Sequence, residues 1–96
     1  MNKKEILQKI SENKPFLLQS FSVIEIGLFG SYIRNEQTSN SVIDILVDFN
    51  QKVDFFKFLE LEEYLQNLLG NKVDLVPKKN LKPVIGKIIL SEVEYI

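Results

Sequence analysis

The chain has 96 residues, of which 45% are hydrophobic and 26% are charged, which is the balance of one soluble globular domain over residues 1–96 and not of a disordered chain. Its net charge of −1 gives no strong signal for nucleic-acid binding, which draws on an excess of Lys and Arg. With no Cys and no His, it lacks thiol nucleophiles, disulfides, Cys/His zinc sites and histidine general bases, so any catalysis must use carboxylates, a bound metal, Lys, Arg or hydroxyls.

The N-terminal part of the chain predicts two helices. Residues 3–13 carry apolar side chains at helical spacing and indicate the first. The second is predicted over the apolar residues 16–21, with Asn13 as its cap and Pro15 in its first turn. This N-terminus lacks the apolar core of a signal peptide and no apolar stretch approaches 18 residues, so we expect a cytoplasmic protein with no membrane partner.

Residues 22–29 alternate in a pattern typical of a strand. The positions predicted to share its apolar face are Ile24, Ile26 and Leu28. Gly30 ends this strand, and Ser31 is predicted to cap a short helix that runs through Asn35. The polar residues 36–41 then predict a loop.

The second half of the chain predicts a strand, a helix and another strand. Apolar residues alternate over 42–49, and a helical period over about 53–69 stops at Gly70. The apolar positions of that helix are Phe55, Phe58, Leu59, Leu65, Leu68 and Leu69. A third strand is predicted over residues 73–76, where Pro77 ends it.

A last helix is predicted after Asn80, which is placed to cap it. Its predicted buried stripe consists of Val84, Ile85, Ile88 and Ile89. The tail, residues 92–96, alternates polar and apolar positions and is expected either to form an edge strand or to dock on a partner. The order α-α-β-α-β-α-β-α predicts an α/β (α+β) fold in which helices flank a small mixed β-sheet.

Two carboxylates lie within the predicted strands. Residue 42 and Asp44 are two apart and therefore share a face, while Ile43 and Ile45 enter the core. Asp74 lies in the next strand between apolar neighbours, where it can lie beside Asp44. Carboxylates in such a setting need a partner or a cation, and hard oxygen ligands favour Mg²⁺.

The turn before them has features that suit a phosphate group. Gly30 permits a tight turn and a close approach of the backbone to a ligand. Ser31 offers a hydroxyl and a backbone amide at the start of a helix. Arg34, one helical turn further on, can add a fork of donors to the same phosphates.

These three segments together resemble the minimal nucleotidyltransferases, small members of the polymerase-beta-like nucleotidyltransferase superfamily. The segments are Gly30-Ser31-x-x-Arg34-x-Glu36, Ser41-x-Ile43-Asp44-Ile45-Leu46-Val47-Asp48-Phe49 and Lys72-Val73-Asp74-Leu75-Val76. The resemblance extends from Ile24 to about Ser91, and it rests on three motifs in the right order.

The resemblance implies a nucleotidyltransferase fold and a role for each matching residue. Gly30 and Ser31, with Arg34, would bind the triphosphate of ATP or another NTP, while Asp44 and Asp74 would be catalytic carboxylates that bind Mg²⁺. In family members that pair with HEPN-type helical proteins, the enzyme is an antitoxin that transfers AMP from ATP to a hydroxyl, typically a tyrosine, of its partner. We therefore expect a HEPN-type partner, and a homo-oligomer is possible.

The chain departs from the family pattern at one position. Val42 stands where the first of the paired metal-binding Asp residues is expected, and it cannot ligate a metal. Asp48, roughly 13 Å along the strand from Asp44, is too distant to replace it. Activity is therefore expected to be reduced or absent, and whether Val42 is natural or a deliberate change stays open, as does the question of whether this chain is an enzyme.

Two alternatives also stay open. Asp44 could be a strand-end residue that is hydrogen-bonded to a loop, with no role in binding. The chain could also be a catalytically inactive pseudo-nucleotidyltransferase, which would act on a HEPN-like partner by protein–protein binding alone.

Overall fold

A computed structural model describes residues 1–96. Its elements are α1 (Lys3–Glu12), α2 (Lys14–Phe21), β1 (Val23–Phe29), α3 (Ser31–Arg34), β2 (Ile43–Phe49), α4 (Phe55–Leu69), β3 (Val73–Pro77), a 3-10 turn (Lys78–Asn80), α5 (Pro83–Glu92) and β4 (Glu94–Tyr95). The order of elements follows the prediction, with the 3-10 turn and β4 added. No helix is long and apolar enough to span a bilayer.

The four strands form one mixed sheet in the order β3-β2-β1-β4. β1 pairs antiparallel with β2 and with β4, whereas β2 and β3 run parallel. A parallel pair needs a long crossover, and α4 supplies it between β2 and β3. The predicted mixed α/β fold is confirmed, and of the two alternatives for the tail, the edge strand is the one that forms.

The two faces of the sheet are covered differently. One face packs against α1, α2 and α4 and forms a cluster of 16 buried residues, with Ile43, Ile45 and Val47 of β2 among them. The other face is covered by α5 and the residues that flank it, Leu81 and Val93, through a cluster of three buried residues, Phe29, Leu46 and Ile89. Because side chains alternate along β2, Asp44 and Leu46 belong to this second face.

The prediction that Ile24 shares a face with Ile26 and Leu28 is wrong. The pairing of β1 with β2 shifts between Val23 and Glu25, so Ile24 is the extra residue of a β-bulge. Its side chain is 53% exposed, while Ile26 and Leu28 are buried. The bulge thus reverses which residues face the helices from that point onwards.

The predicted caps need three corrections. Gly30, and not Ser31, occupies the position that precedes α3. Asn13 does precede α2, but its side chain bonds to the Lys9 carbonyl and the Tyr64 hydroxyl and does not cap the helix. Asn80 lies in the 3-10 turn and leaves the start of α5 to other residues.

The apolar stripes of the last two helices are only partly as predicted. In α4, Leu65 and Leu69 are buried, but Phe55 and Leu59 are exposed and Leu61, which was not in the predicted stripe, is fully buried. In α5 only Ile89 of the predicted stripe is buried. The other three members are exposed by 77%, 55% and 57%: Val84, Ile85 and Ile88. These three residues, called the α5 apolar face below, point away from the sheet.

Candidate functional site

Two carboxylates lie side by side at the start of the parallel strands. Asp44 of β2 is in register with Asp74 of β3, so their side chains leave the sheet on the same face. This is the arrangement that the sequence predicts. α5 covers the neighbouring positions Leu46 and Val76, but Asp44 and Asp74 contribute to an open groove of about 520 Å³ at the edge of the sheet.

The surroundings of Asp44 alter its ionisation. The pKa of Asp44 is raised from its ordinary value of 3.8 to about 6, chiefly by burial and next by the adjacent negative charge of Asp74. The guanidinium of Arg34 lowers this pKa, while the carboxylate of Glu92 raises it. A partly buried carboxylate beside a second carboxylate is stabilised by a cation placed between the two.

The donor set fits one hard divalent cation such as Mg²⁺ and no more. Asp44 and Asp74 are the two carboxylates that would hold it, and no group of three or more Asp, Glu, His or Cys residues is arranged to hold a metal. Val42 lines the same groove without offering a ligand atom. Glu62 of α4 also lines this groove, but it does not form a three-carboxylate group with Asp44 and Asp74.

Gly30 lies directly against Asp44. Its backbone has φ +78°, a conformation that L side chains rarely adopt, and a Cβ at this position would collide with the Asp44 carboxylate. The backbone conformation therefore favours glycine here, and a side chain would also displace the Asp44 carboxylate. The consequence is that the carboxylate pair lies beside the turn that leads into α3 at Ser31.

Arg34 is held by two carboxylates of the chain. Its Nε donates to Glu36 at 2.8 Å, and its Nη1 donates to Glu92 at 3.0 Å. The Gly30 amide also donates to Glu92. Two of the three residues that the sequence assigns to phosphate binding, Gly30 and Arg34, therefore already have an anionic partner, which the sequence did not indicate.

Glu92 is the member of this site that the sequence analysis missed. It lies 62 residues from Gly30 along the chain and belongs to no motif of the resemblance. An acidic residue at the end of a helix usually faces solvent, so its type and spacing carry no signal. Only the folding of α5 across the sheet brings Glu92 to the Gly30–Ser31 turn.

A second groove, of about 660 Å³, lies at the opposite ends of β2 and β3. It contains two carboxylates, but each has a structural role. Asp48 accepts a hydrogen bond from the Phe49 amide, and Asp54 caps α4 through the Lys57 amide. Only the first groove contains the carboxylate pair that lies beside Gly30.

Comparison with known proteins agrees with this geometry. Residues 3–96 match the family model for the nucleotidyltransferase domain, and the chain belongs to this family. The predicted resemblance to minimal nucleotidyltransferases is thereby confirmed.

Three relatives illustrate the match. A protein adenylyltransferase named MntA, from Thermococcus cleftensis, is 50% identical over 92 residues, which cover 96% of this chain and 93% of that protein. A solved structure provisionally named a minimal nucleotidyltransferase is 29% identical with a TM-score of 0.81, covering 98% of this chain and 95% of its own. A toxin–antitoxin structure with AMP-PNP is 28% identical with a TM-score of 0.72, covering 99% of this chain and 72% of its own.

Proposed function

We propose that this chain is an antitoxin protein adenylyltransferase, which transfers AMP from ATP to a hydroxyl group of a HEPN-type partner protein. The observation that carries the proposal is the in-register pair Asp44–Asp74 beside the Gly30–Ser31 turn. The 50% identity to a protein adenylyltransferase supports the reaction, and the relative in a toxin–antitoxin structure with an ATP analogue supports both the nucleotide and the setting.

The transfer forms one bond and breaks one. The acceptor hydroxyl oxygen bonds to the α-phosphorus of ATP, the bond from that phosphorus to the bridging oxygen breaks, and pyrophosphate leaves while the hydroxyl proton passes to water. Ser31 and Arg34 would bind the phosphates, and Asp44 and Asp74 would hold one Mg²⁺. When bound, this ion would neutralise phosphate charge and make the α-phosphorus more electrophilic.

Val42 implies a slow enzyme. Changing residues that merely support metal ligands costs about 10- to 100-fold in affinity or activity, and a missing ligand costs at least as much. We propose that residues 1–96 act as a single domain, whose partner supplies the rest of the substrate site.

The proposal is tested by mixing the chain with ATP labelled at the α-phosphate, Mg²⁺ and a HEPN-type candidate partner protein. Label is expected on the partner, and Asp44→Ala should abolish it because the paired ligand is lost. Asp48→Ala is the matched control, since Asp48 lies on the same strand about 13 Å away and should leave the labelling unchanged. Absence of label at high concentrations of the unmodified chain would contradict the reaction.

A second candidate function is neutralisation of the partner by binding alone. Two observations favour it: the absence of a third metal-binding group and the exposed α5 apolar face (Val84, Ile85 and Ile88). Under this alternative, Asp44→Ala and Asp74→Ala leave neutralisation unchanged, whereas Ile88→Asp on the α5 apolar face abolishes it. A growth assay with the toxin partner separates the two functions.

A further inference from the structure

Glu92 connects the end of α5 to the Gly30–Ser31 turn and to Arg34 of α3. Its carboxylate accepts hydrogen bonds from the Gly30 amide and from Nη1 of Arg34. The side chain is only 18% exposed, although it lies at the last position of α5. A carboxylate that is largely removed from water and hydrogen-bonded on both oxygens is a specific part of the folded structure and not a solvated surface group.

The position of Glu92 is not explained by the stability of α5. The C-terminal end of a helix carries partial negative charge, so an acidic residue in the last turn is disfavoured there. The adjacent Asp44 also experiences the charge of Glu92, which raises the pKa of Asp44. Glu92 is thus unfavourable for its own helix and for the carboxylate pair, and its favourable contacts are those to Gly30 and Arg34.

The bonds of Arg34 leave part of its guanidinium free. An arginine has five N–H groups. Nε is bonded to Glu36 and Nη1 to Glu92, while Nη2 donates to no atom of the protein. Arg34 lies close enough to the carboxylate pair to lower the pKa of Asp44, so its unbonded edge is available at the site.

We propose that Glu92 is a positioning residue for nucleotide binding: it fixes the Gly30 amide and orients Arg34, so that Nη2 of Arg34 and the Ser31 end of the turn receive the triphosphate. This inference rests on the proposed nucleotide-binding function. It adds a residue from α5, outside the motifs of the family pattern, to those that prepare the site.

The test is binding of AMP-PNP with Mg²⁺, measured by calorimetry on the full chain. Glu92→Gln keeps an oxygen acceptor but loses the charge that holds Arg34, and Kd should rise about tenfold, the equivalent of one charge-assisted hydrogen bond. Glu94→Gln is the matched control. Glu94 lies two residues further on, pairs with Lys3 at 2.8 Å and does not contact the turn, so its substitution should leave Kd within about twofold.

A double-mutant cycle distinguishes positioning from general loss of structure. If Glu92 acts through Arg34, then Glu92→Gln should weaken binding much less in an Arg34→Gln background than in the unmodified chain. Independent, additive effects would show that Glu92 does not act through Arg34. Thermal melting of each variant establishes that the folded protein is being compared.

The outcomes separate this inference from the function on which it rests. If the unmodified chain binds AMP-PNP and Glu92→Gln binds it equally well, the positioning role is overturned and the function stands. Tighter binding by Glu92→Gln would also overturn it, since Glu92 would then compete with the phosphates for Gly30 and Arg34. If the unmodified chain binds no AMP-PNP, the nucleotide site itself fails and this inference fails with it.

Discussion

The two faces of the sheet differ in what they contain. The face covered by α1, α2 and α4 has 16 buried residues and no charged group among them. The face covered by α5 has three buried residues, and beyond the end of that helix lie Asp44, Asp74 and the glycine turn. The first face supplies the apolar burial that stabilises the domain, and the second retains groups that oppose folding.

This contrast predicts which substitutions should lower the stability of the domain and which should raise it. Apolar burial contributes about 25 cal/mol per Å², so removal of a side chain on the first face should destabilise the domain strongly. On the second face, partial desolvation and repulsion between carboxylates mean that removal of a charge should stabilise it. Function and stability therefore depend on different residues, and substitutions can separate them.

The largest expected effect comes from the first face. Leu61→Ala removes a fully buried side chain of α4 and should lower the free energy of unfolding by about 2–5 kcal/mol. Ile85→Ala, on the exposed face of α5, should change it by less than about 0.5 kcal/mol. Urea denaturation measures both, and equal losses at the two positions would contradict the division between the faces.

The next effect concerns catalysis on the second face. Val42→Asp introduces the missing carboxylate into the groove that contains Asp44 and Asp74. We expect Mg²⁺-dependent transfer of AMP to rise by about 10- to 100-fold, because a third ligand completes the site. The measurement is the initial rate with labelled ATP and the partner. Val42→Asn, which adds a neutral polar group of similar size, is the control and should give a much smaller gain.

A smaller effect is expected on stability and its dependence on pH. The folded-state pKa of Asp44 is raised to about 6, above its ordinary value of 3.8, so ionised Asp44 opposes folding at neutral pH. Asp44→Asn should therefore stabilise the protein above pH 6, by about 1 kcal/mol after allowance for solvent screening of this half-exposed group. That corresponds to a rise in Tm of about 4–8 °C.

The gain from Asp44→Asn should disappear as the pH falls. Below the ordinary pKa of 3.8, Asp44 is protonated in both the folded and the unfolded state, so the variant and the unmodified chain should melt alike. Asp48→Asn, on the same strand, is the control at each pH. A gain that persisted at pH 3.5 would show that the charge of Asp44 is not its cause.

Much of this arrangement was predictable from the sequence. The alternation in β2 and β3 assigns Ile43 and Leu75 to the core, so Asp44 and Asp74 must occupy the opposite face. The Gly30–Ser31 turn was predictable as well, because a glycine followed by a serine after a strand ends that strand and permits a close approach. These features depend on local spacing, which a sequence contains directly.

Features that depend on how elements pack were not predictable. The helical period of α5 identifies an apolar stripe but does not say whether the sheet extends beneath it, so Ile85 and Ile88 were assigned to the core and are exposed. The bulge at Ile24 adds one residue and reverses the alternation without a Gly or Pro to indicate it. The contact of Glu92 with Arg34 spans 58 residues and requires the complete fold.

The central claim is that Asp44 and Asp74 form one divalent-cation site beside the glycine turn. A titration with Mn²⁺ in place of Mg²⁺, followed by electron paramagnetic resonance at pH 7.5, tests it most directly. The unmodified chain should bind one ion, and both Asp44→Asn and Asp74→Asn should lose that binding while Asp48→Asn retains it. Equal Mn²⁺ binding by all four proteins, or none by the unmodified chain, would contradict the account.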